Sequence, residues 1–541
     1  MSHDSARAER FSRPPKKVIY AAESEEFMAL EATPVAVSRI RAGSTERCME
    51  MKRATVCLLA VSVLSGSTGC SKVMALVRGL TGGGDSSNNT TPTNGSAPAP
   101  EGPASPESSV ETPAPSRATG CPATTANSAL LPGTVHKTEL QRDETWDLAG
   151  SPHRLPHGFR VLDGKTLTVE PCAVVLVGAG SGLTVENGGA LVAAGDAEHP
   201  IRFGSNNPQP QAGDWNGLWF AESVRRASRL SHVVIEHGGH DWSGGHAGLA
   251  VTFPGLHVDH LTARANLGFG VALRDGGRFA PGSSDVTVTG TTSEGASLSG
   301  AVYVQRAPSV ASLPAGRYTG NAVDEVFIAE AGPGSDTHTL RNTATWANLG
   351  VPYHIADDLD VRVDGPTGPI LTIAAGVTLL MGRNAGISVG YDAEGGLVID
   401  GGSDDGRVTL KPAGNDASPG QWHGVYFGPR FNRSASRLRY VTIQSAGSPW
   451  GSSQFCDWAG DNSDSGFVAV EAAPQPSLID HARFVNGGPD TAAIVRHWRG
   501  APVNFADPSL GNDFAAFNAP CHQSPTMNAD GSCPDPAPAC Q

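Results

Sequence analysis

The chain has 541 residues, of which 66 are glycine and 40 are proline, and 17% of its residues are charged. This composition is unusual for a compact α/β enzyme and favours many short strands separated by turns. The formal net charge of −14 argues against nucleic acid as a partner, because phosphate binding requires a basic surface. No pattern requires a cofactor, although an acidic surface is compatible with calcium or another divalent metal.

A secretory signal is predicted at residues 51–70. Two basic residues precede an apolar stretch over 54–64, and small residues then lead to Cys70. The apolar stretch is too short to span a bilayer of about 30 Å as a helix. The segment resembles a bacterial lipoprotein signal, which implies that Cys70 is lipidated and becomes the mature N-terminus. Ser67 departs from that resemblance, because the family usually places leucine there.

The segments on either side of this signal lack the pattern of a folded domain. Residues 1–50 are charged and without clear periodicity, so we interpret them as a disordered extension from a misassigned start. Residues 71–127 are rich in glycine, serine and proline, and their low apolar content does not offset the entropy of ordering. They are predicted to form a flexible tether. The sequence therefore predicts export and anchoring in the bacterial cell envelope, at the outer membrane or cell surface.

The remaining chain contains one unit twice, which we assign to residues 128–340 and 341–515. Four blocks recur in the same order and at a nearly constant offset, which is typical of repetitive architectures. The matching blocks begin at Leu167 and Leu371, at Gly182 and Gly386, at Gly213 and Gly420, and at Ala227 and Ala435.

Within each copy the pattern indicates stacked coils of short strands. Residues 167–169 alternate apolar and polar side chains, as a strand with one buried face requires. Glycine and asparagine residues recur after every few residues and supply tight bends. No amphipathic helix of substantial length is predicted after residue 130. The sequence therefore predicts an all-β fold, a right-handed parallel β-helix built from two divergent copies, and leaves open whether the copies form one continuous rod.

The residues also resemble bacterial right-handed parallel β-helix repeat surface lipoproteins. The resemblance covers roughly residues 150–515 and is carried by runs such as LTVEPCAVVLVG, GLTVENGGALVAAG and GDWNGLWF. It implies the fold of pectate lyases, but the Asn-Thr-Asp, Gly-His-Gly and Arg-Ile-Lys motifs of the pectin hydrolases are absent. Cys172 departs from the family, which commonly has glycine there, as the second copy does at Gly376. Cys172 is either a buried thiol or a disulfide partner of Cys121.

A local excess of histidine is the best candidate for a site. Imidazole and carboxylate groups that cluster in this way bind metals, so the predicted metal ligands are His232, His237, His240 and Asp241. The favoured alternative is a histidine ladder on a solvated face, because stacked coils place equivalent side chains above one another and no known metal-binding spacing occurs. The second copy has other residues at the positions that match His232 and His237, namely Tyr440 and Ser445.

Two tryptophans, Trp215 and Trp422, have two interpretations. Their aromatic faces could contact a carbohydrate, or their indoles could fill the interior of a coil. The second interpretation is favoured, because both lie in a repeated block whose neighbouring residues are core-forming.

The C-terminal tail, 516–541, is rich in cysteine for its length. The tail has no predicted core, so its cysteines would be held by bonds between loops. They are Cys521, Cys533 and Cys540. We predict that disulfides close this tail in an oxidising compartment.

No residue is predicted to be catalytic. Adjacent carboxylates could perform acid and base catalysis on a polysaccharide, but neighbouring aspartates in a strand point to opposite faces. The available pairs are Asp357 with Asp358 and Asp404 with Asp405. Residues 461–466 match a calcium-binding loop only faintly, because no glutamate stands at the twelfth place.

We therefore expect a noncatalytic cell-envelope lipoprotein, a rigid β-helical scaffold or binding module. Its expected partners are a membrane, through the lipid anchor, and a polysaccharide or a surface protein. The alternative is a polysaccharide lyase or glycoside hydrolase that acts in a groove along the β-helix, and this rests on analogy of fold alone.

Overall fold

A computed structural model describes residues 120–121, 131–221, 223–224, 227–240, 246–329, 338–450, 466–488, 491–498, 501–518 and 520–524. The predicted signal and most of the predicted tether lie outside these residues. So do four of the predicted site residues, Cys70, Asp241, Cys533 and Cys540. The described residues belong to one compact unit, 112–541.

Three sheets dominate the first half of the described chain. Sheet 1 contains β1 (Thr134–Val135), β3 (His153–Leu155), β6 (Val174–Val177), β9 (Ile201–Ser205), β12 (Val233–Glu236), β15 (Thr262–Arg264), β18 (Val286–Thr289) and β20 (Gly316–Arg317). Sheet 3 contains β2 (Glu144–Trp146), β5 (Thr166–Val169), β8 (Ala190–Ala194), β11 (Arg229–Ser231), β14 (Pro254–Asp259) and β17 (Arg278–Phe279).

Sheet 2 runs through both halves of the described chain. It contains β4 (Phe159–Val161), β7 (Gly182–Val185), β10 (Gly217–Phe220), β13 (Ala247–Val251), β16 (Phe269–Leu273), β19 (Gly300–Val304), β21 (Val326–Ile328), β24 (Tyr353–Ile355), β27 (Thr378–Met381), β30 (Val408–Pro412), β33 (Val441–Gln444) and β36 (Arg483–Val485).

Two further sheets accompany sheet 2 in the second half. Sheet 4 contains β22 (Thr339–Leu340), β25 (Asp360–Val363), β28 (Gly386–Val389), β31 (Gly424–Phe427), β34 (Val468–Val470), β37 (Ile494–Arg496) and β38 (Cys521–Gln523). Sheet 5 contains β23 (Ala344–Trp346), β26 (Ile370–Ile373), β29 (Gly396–Asp400), β32 (Arg437–Arg439) and β35 (Ile479–Asp480).

The strands form a parallel β-helix, which confirms the predicted fold class. The chain visits sheets 2, 3 and 1 in turn in the first half, and sheets 2, 4 and 5 in turn in the second. Each strand pairs in parallel with its counterpart one coil later, for example β5 with β8 and β27 with β30. The twelve strands of sheet 2, stacked about 4.8 Å apart, span roughly 50 Å. The residues assigned to the two copies therefore form one continuous rod.

Matching sequence blocks of the two predicted copies lie on different sheets. β5 lies in sheet 3 and its sequence counterpart β26 in sheet 5, whereas β7 lies in sheet 2 and its counterpart β28 in sheet 4. A 3₁₀-helical turn, Ala307–Ser312, stands between β19 and β20, where the cycle of sheets requires a strand, and it contacts both β17 and β22. The offset between matching blocks is not a whole number of coils, so matching side chains project from different sides of the rod.

The interior of the rod is filled by the inward faces of these strands. In β5 and β26 buried apolar residues alternate with half-buried residues, and the threonines are among the half-buried ones. The four tryptophans Trp146, Trp215, Trp346 and Trp422 are among the largest fully buried side chains. Alternation with a period of two, which the sequence shows, therefore places the core along the axis of the coils.

Glycines at the turns allow the coils to approach closely. A Cβ atom added at Gly277 would lie 2.0 Å from the carbonyl oxygen of Val251 on the previous coil, and one at Gly395 would lie 1.8 Å from that of Val363. We expect Gly277→Ala to lower the free energy of unfolding by about 1 to 3 kcal/mol, because the backbone must shift. Urea unfolding followed by circular dichroism measures this. Gly414→Ala is the control, since its Cβ would meet no atom within 4 Å, and equal midpoints for both variants would contradict the prediction.

Candidate functional site

The predicted metal ligands lie at different corners of the coil. His232 lies between β11 and β12, whereas His237 follows β12 at the next corner. The strand between them separates the two residues by on the order of 15 Å, which is too far for one ion. His240 forms a hydrogen bond of 3.0 Å between its Nδ1 and the carbonyl oxygen of Gly213. Asp241 lies outside the described residues, so the predicted set is not assembled by the part of the chain that the structure describes.

His237 adjoins a buried ion pair on sheet 1. The carboxylate of Glu236 is 2% exposed and accepts hydrogen bonds from Arg202 and Arg264, the latter at 2.8 Å. Burial opposes ionisation of Glu236, but the two guanidinium groups outweigh it and hold the pKa of this carboxyl below its usual range. Burial lowers the pKa of His237. These groups therefore act as a structural ion pair that joins three adjacent strands.

His232 and His260 occupy the same corner on consecutive coils. Their imidazole rings stack with centroids 4.3 Å apart and planes inclined by 9°. Both residues have a left-handed backbone, with φ of 49° and 48°, at the bend between a strand of sheet 3 and a strand of sheet 1. The pairing of Ser231 with Asp259 aligns the two corners. A histidine stack of this kind is the ladder that the sequence offered as the alternative to a metal site.

Carboxylates surround this histidine stack. The Oδ1 atom of Asp259 lies 2.9 Å from Nδ1 of His260 and accepts the hydroxyl of Ser284 at 2.7 Å. The Oδ2 atom of Asp285, on the next coil, lies 3.2 Å from Nε2 of His260. The hydroxyl of Ser284, together with His260, holds the pKa of the Asp259 carboxyl below its usual range. Ligand atoms of His232, Asp259 and His260 all lie within 4.8 Å of one another.

The matching corner of the second half has different chemistry. Tyr440 and His481 stack there with ring centroids 4.5 Å apart, and their φ values are 47° and 51°. The guanidinium of Arg439 lies 5.1 Å from the centre of the Tyr440 ring and 3.3 Å from Asp480. At this bend a tyrosine stacks on the histidine in place of a second histidine. The fold therefore does not require two histidines at this corner.

Both candidate carbohydrate-contacting tryptophans are core residues. Trp215 and Trp422 have no exposed surface. The indole N–H of Trp215 donates to the carbonyl of Glu236, and that of Trp422 donates to the carbonyl of Gln444, both at 2.8 Å. Neither ring offers a face to a sugar, and their place in the coil agrees with the interpretation that the sequence favoured.

The described cysteines are all oxidised. Cys121 and Cys172 form a disulfide, with Cα atoms 5.4 Å apart, which decides between the two alternatives for Cys172. Cys521 is also disulfide-bonded. The predicted pairing of Cys521 with Cys533 or Cys540 involves residues outside the described chain and stays a prediction.

The aspartate pairs are engaged in local structure. Asp357 accepts the backbone N–H of Arg383 at 2.8 Å, and Asp358 accepts the side-chain amide of Asn384 at 2.9 Å. Asp404 pairs with Arg407 and also, at 3.0 Å, with Arg483. These contacts hold turns and neighbouring coils together. Residues 461–465 of the faint calcium loop lie outside the described residues.

The outward face of sheet 4 carries a carboxylate that sequence reasoning missed. Ser388 on β28 donates its hydroxyl to Asp360 on β25 at 2.7 Å. The side chain of Asp360 is 36% exposed, but many protein atoms surround its carboxyl group. The resulting desolvation raises the pKa of Asp360 to about 6. On the same face, the hydroxyl of Tyr426 donates to Glu471. Alternation along β25 indicates that Asp360 points outward, but no sequence signal distinguishes it from an ordinary solvated aspartate.

Asp360→Asn is expected to raise the melting temperature at pH 8 and to have a much smaller effect at pH 4.5. The pKa of Asp360 in the folded chain, about 6, exceeds its ordinary value of 3.8, so stability is lost as the pH rises from about 4 to about 6, and the cost is complete above pH 6. Thermal unfolding at both pH values measures the effect. Asp405→Asn, at an exposed position, is the control, and the same stabilisation by Asp360→Asn at both pH values would refute the cause given.

Within the described residues, no helix has the length and apolar character needed to cross a membrane. Comparison of the chain with protein-family models, curated proteins and solved structures found no match.

Proposed function

We propose that this chain is an exported cell-envelope lipoprotein whose β-helix is a noncatalytic scaffold or binding module. The observation that carries the proposal is the disulfide between Cys121, at the end of the predicted tether, and Cys172, on the rod. Disulfides persist in oxidising compartments outside the cytoplasm, which supports export. The bond also links the end of the tether covalently to the rod. A mechanical force between the membrane anchor and the rod would therefore act at Cys172.

The rod itself supports a scaffold role. One sheet of twelve parallel strands joins both halves of the described chain. Three aspartates of the pairs that the sequence offered as acid–base candidates, Asp357, Asp358 and Asp404, take part in turns and ion pairs. In this proposal the lipid on Cys70 contacts the membrane, and the outer faces of the coils present a repetitive surface to a polysaccharide or a surface protein.

Cell fractionation of a bacterial host that expresses the full-length chain tests this proposal. We expect the wild-type chain in the membrane fraction and Cys70→Ser in the soluble exported fraction. Cys57→Ser is the matched control, because this cysteine lies inside the apolar stretch of the signal, and it should remain with the membrane. Full-length wild-type chain in the cytoplasm, with free thiols at Cys121 and Cys172, would overturn the proposal.

A polysaccharide lyase or glycoside hydrolase is the second candidate, and Asp360 is the observation that favours it. A carboxyl whose pKa is raised to about 6 can act as a general acid near neutral pH, and such groups cluster at functional sites. Incubation of the purified chain with acidic and neutral polysaccharides, with and without calcium, tests for new reducing ends or unsaturated products. Product formation that Asp360→Asn abolishes would support catalysis, whereas no product from any substrate would reject it.

A further inference from the structure

The corner that holds His232 and His260 is built by three successive coils. His232, His260 and Asp285 each lie in the bend that leads from sheet 3 to sheet 1, with left-handed φ of 49°, 48° and 49°. Parallel pairing of Ser231 with Asp259, and the bridge between Asp259 and Ser284, fix the register of these coils. The repeated bend therefore brings residues far apart in sequence to one place on a rigid element.

The spacing of the polar atoms suits a coordinated ion. Two ligands that bind a metal at about 2.1 Å with angles between octahedral and tetrahedral lie roughly 3.0 to 3.4 Å apart. The Nδ1 atom of His260 and the Oδ1 atom of Asp259 are 2.9 Å apart. A ligand nitrogen of His232 lies within 4.8 Å of the ligand atoms of both. The His232 ring is partly exposed, and a rotation out of the stack would bring its nitrogen to the same ion.

The neighbouring groups orient these ligands. Asp285 lies 3.2 Å from Nε2 of His260, close enough to accept an N–H from this nitrogen, and Nδ1 would then be the atom that binds the ion. The hydroxyl of Ser284 donates to Asp259 and holds its carboxylate at the corner. Metal-binding histidines commonly donate their other ring N–H to a carboxylate, and this contact fixes the tautomer and strengthens the ligand. The corner thus contains both the direct ligands and the groups that orient them.

We propose that His232, Asp259 and His260 bind one divalent transition-metal ion of the zinc, nickel or copper class. Two imidazoles and one carboxylate favour these ions over calcium and magnesium, which prefer oxygen ligands alone. Three protein ligands leave coordination positions open, and the side chain of His260 is 50% exposed. The ion is therefore reachable by a donor group from another molecule. This goes beyond the scaffold role, because one face of the rod would then bind a metal ion that can coordinate another molecule.

Calorimetric titration of zinc chloride into the full-length, tag-free chain tests the proposal. We expect one saturable equivalent in the wild type. His260→Asn and Asp259→Asn should weaken it roughly tenfold or more, and so should Asp285→Asn, which removes an orienting carboxylate but no ligand. Asparagine at position 260 tolerates the left-handed bend, so the coil is retained. Circular dichroism and cooperative unfolding verify the fold of each variant.

His481→Asn is the matched control. His481 lies in the second half, stacks on an aromatic ring and has the same left-handed backbone as His260. We expect its replacement to leave the zinc affinity unchanged. A cobalt titration provides a second readout, because imidazole ligation gives a visible absorption band that His260→Asn should abolish. Absence of saturable zinc binding by the wild type would overturn the proposal. Wild-type affinity in folded His260→Asn would also overturn it, since the ion would then lie elsewhere.

Discussion

Trp215→Ala is expected to lower the free energy of unfolding by about 3 to 5 kcal/mol. The indole is fully buried in the coil, so its loss leaves a cavity that the closely stacked neighbouring strands cannot fill. The carbonyl of Glu236, which accepts the indole N–H at 2.8 Å, loses its partner as well. Urea unfolding followed by circular dichroism measures the change. Trp215→Phe retains most of the ring volume and is expected to lose less.

The surface control for this prediction is Tyr391→Ala. The Tyr391 side chain is 47% exposed, so its removal is expected to change the free energy of unfolding by less than about 0.5 kcal/mol. In a solenoid each coil contacts only its neighbours, and the destabilisation should therefore concentrate in β7, β10 and β13. Hydrogen exchange of these strands locates the effect. A Trp215→Ala chain as stable as Tyr391→Ala would show that the indole does not support the core.

Removal of the disulfide, by Cys121→Ser with Cys172→Ser, is expected to lower the free energy of unfolding by about 2 to 4 kcal/mol. The bond joins residues 51 positions apart, so its loss restores considerable freedom to the unfolded chain. Urea unfolding of both proteins without reductant, so that the wild-type disulfide stays intact, measures the difference. An unfolding midpoint equal to that of the wild type would contradict the prediction.

A matched variant separates the disulfide from the backbone at position 172. Cys172 has φ of 63°, and Gly376, its counterpart in the second copy, has φ of 76°. Glycine adopts this conformation without the cost of roughly 1 to 2 kcal/mol that a side chain incurs. Cys121→Ser with Cys172→Gly should therefore be more stable than the double serine variant. The reverse order would indicate that the left-handed bend is not costly there.

The local pattern of the sequence was sufficient to predict the strands and their stacking. In β5, Leu167 and Val169 alternate with threonines, and burial follows this alternation. Glycines at turns such as Gly277 mark places where backbones nearly touch. The alternation of side chains along a strand and the left-handed bend are local features. Each depends only on a residue and its immediate neighbours. The recurrence of matching blocks extended the prediction from single strands to a solenoid.

The relation between distant coils was decided by the tertiary structure. The turn Ala307–Ser312 takes the place of one strand in the cycle of sheets, and its sequence does not reveal this. His232 and His237 are near in sequence and lie at different corners, whereas His232 and His260 stack. Coil lengths vary along the chain, so no fixed spacing reveals which residues meet.

The sequence by itself thus determined the parallel β-helix and its buried faces, because alternation and bends are properties of short segments. Only the tertiary structure decided that the halves are continuous, that Cys172 bonds to Cys121, and that His260 and Asp259 join His232. Each of these depends on the register between coils. The register between coils is set by the packing and hydrogen bonding along whole coils. A short segment does not contain this information.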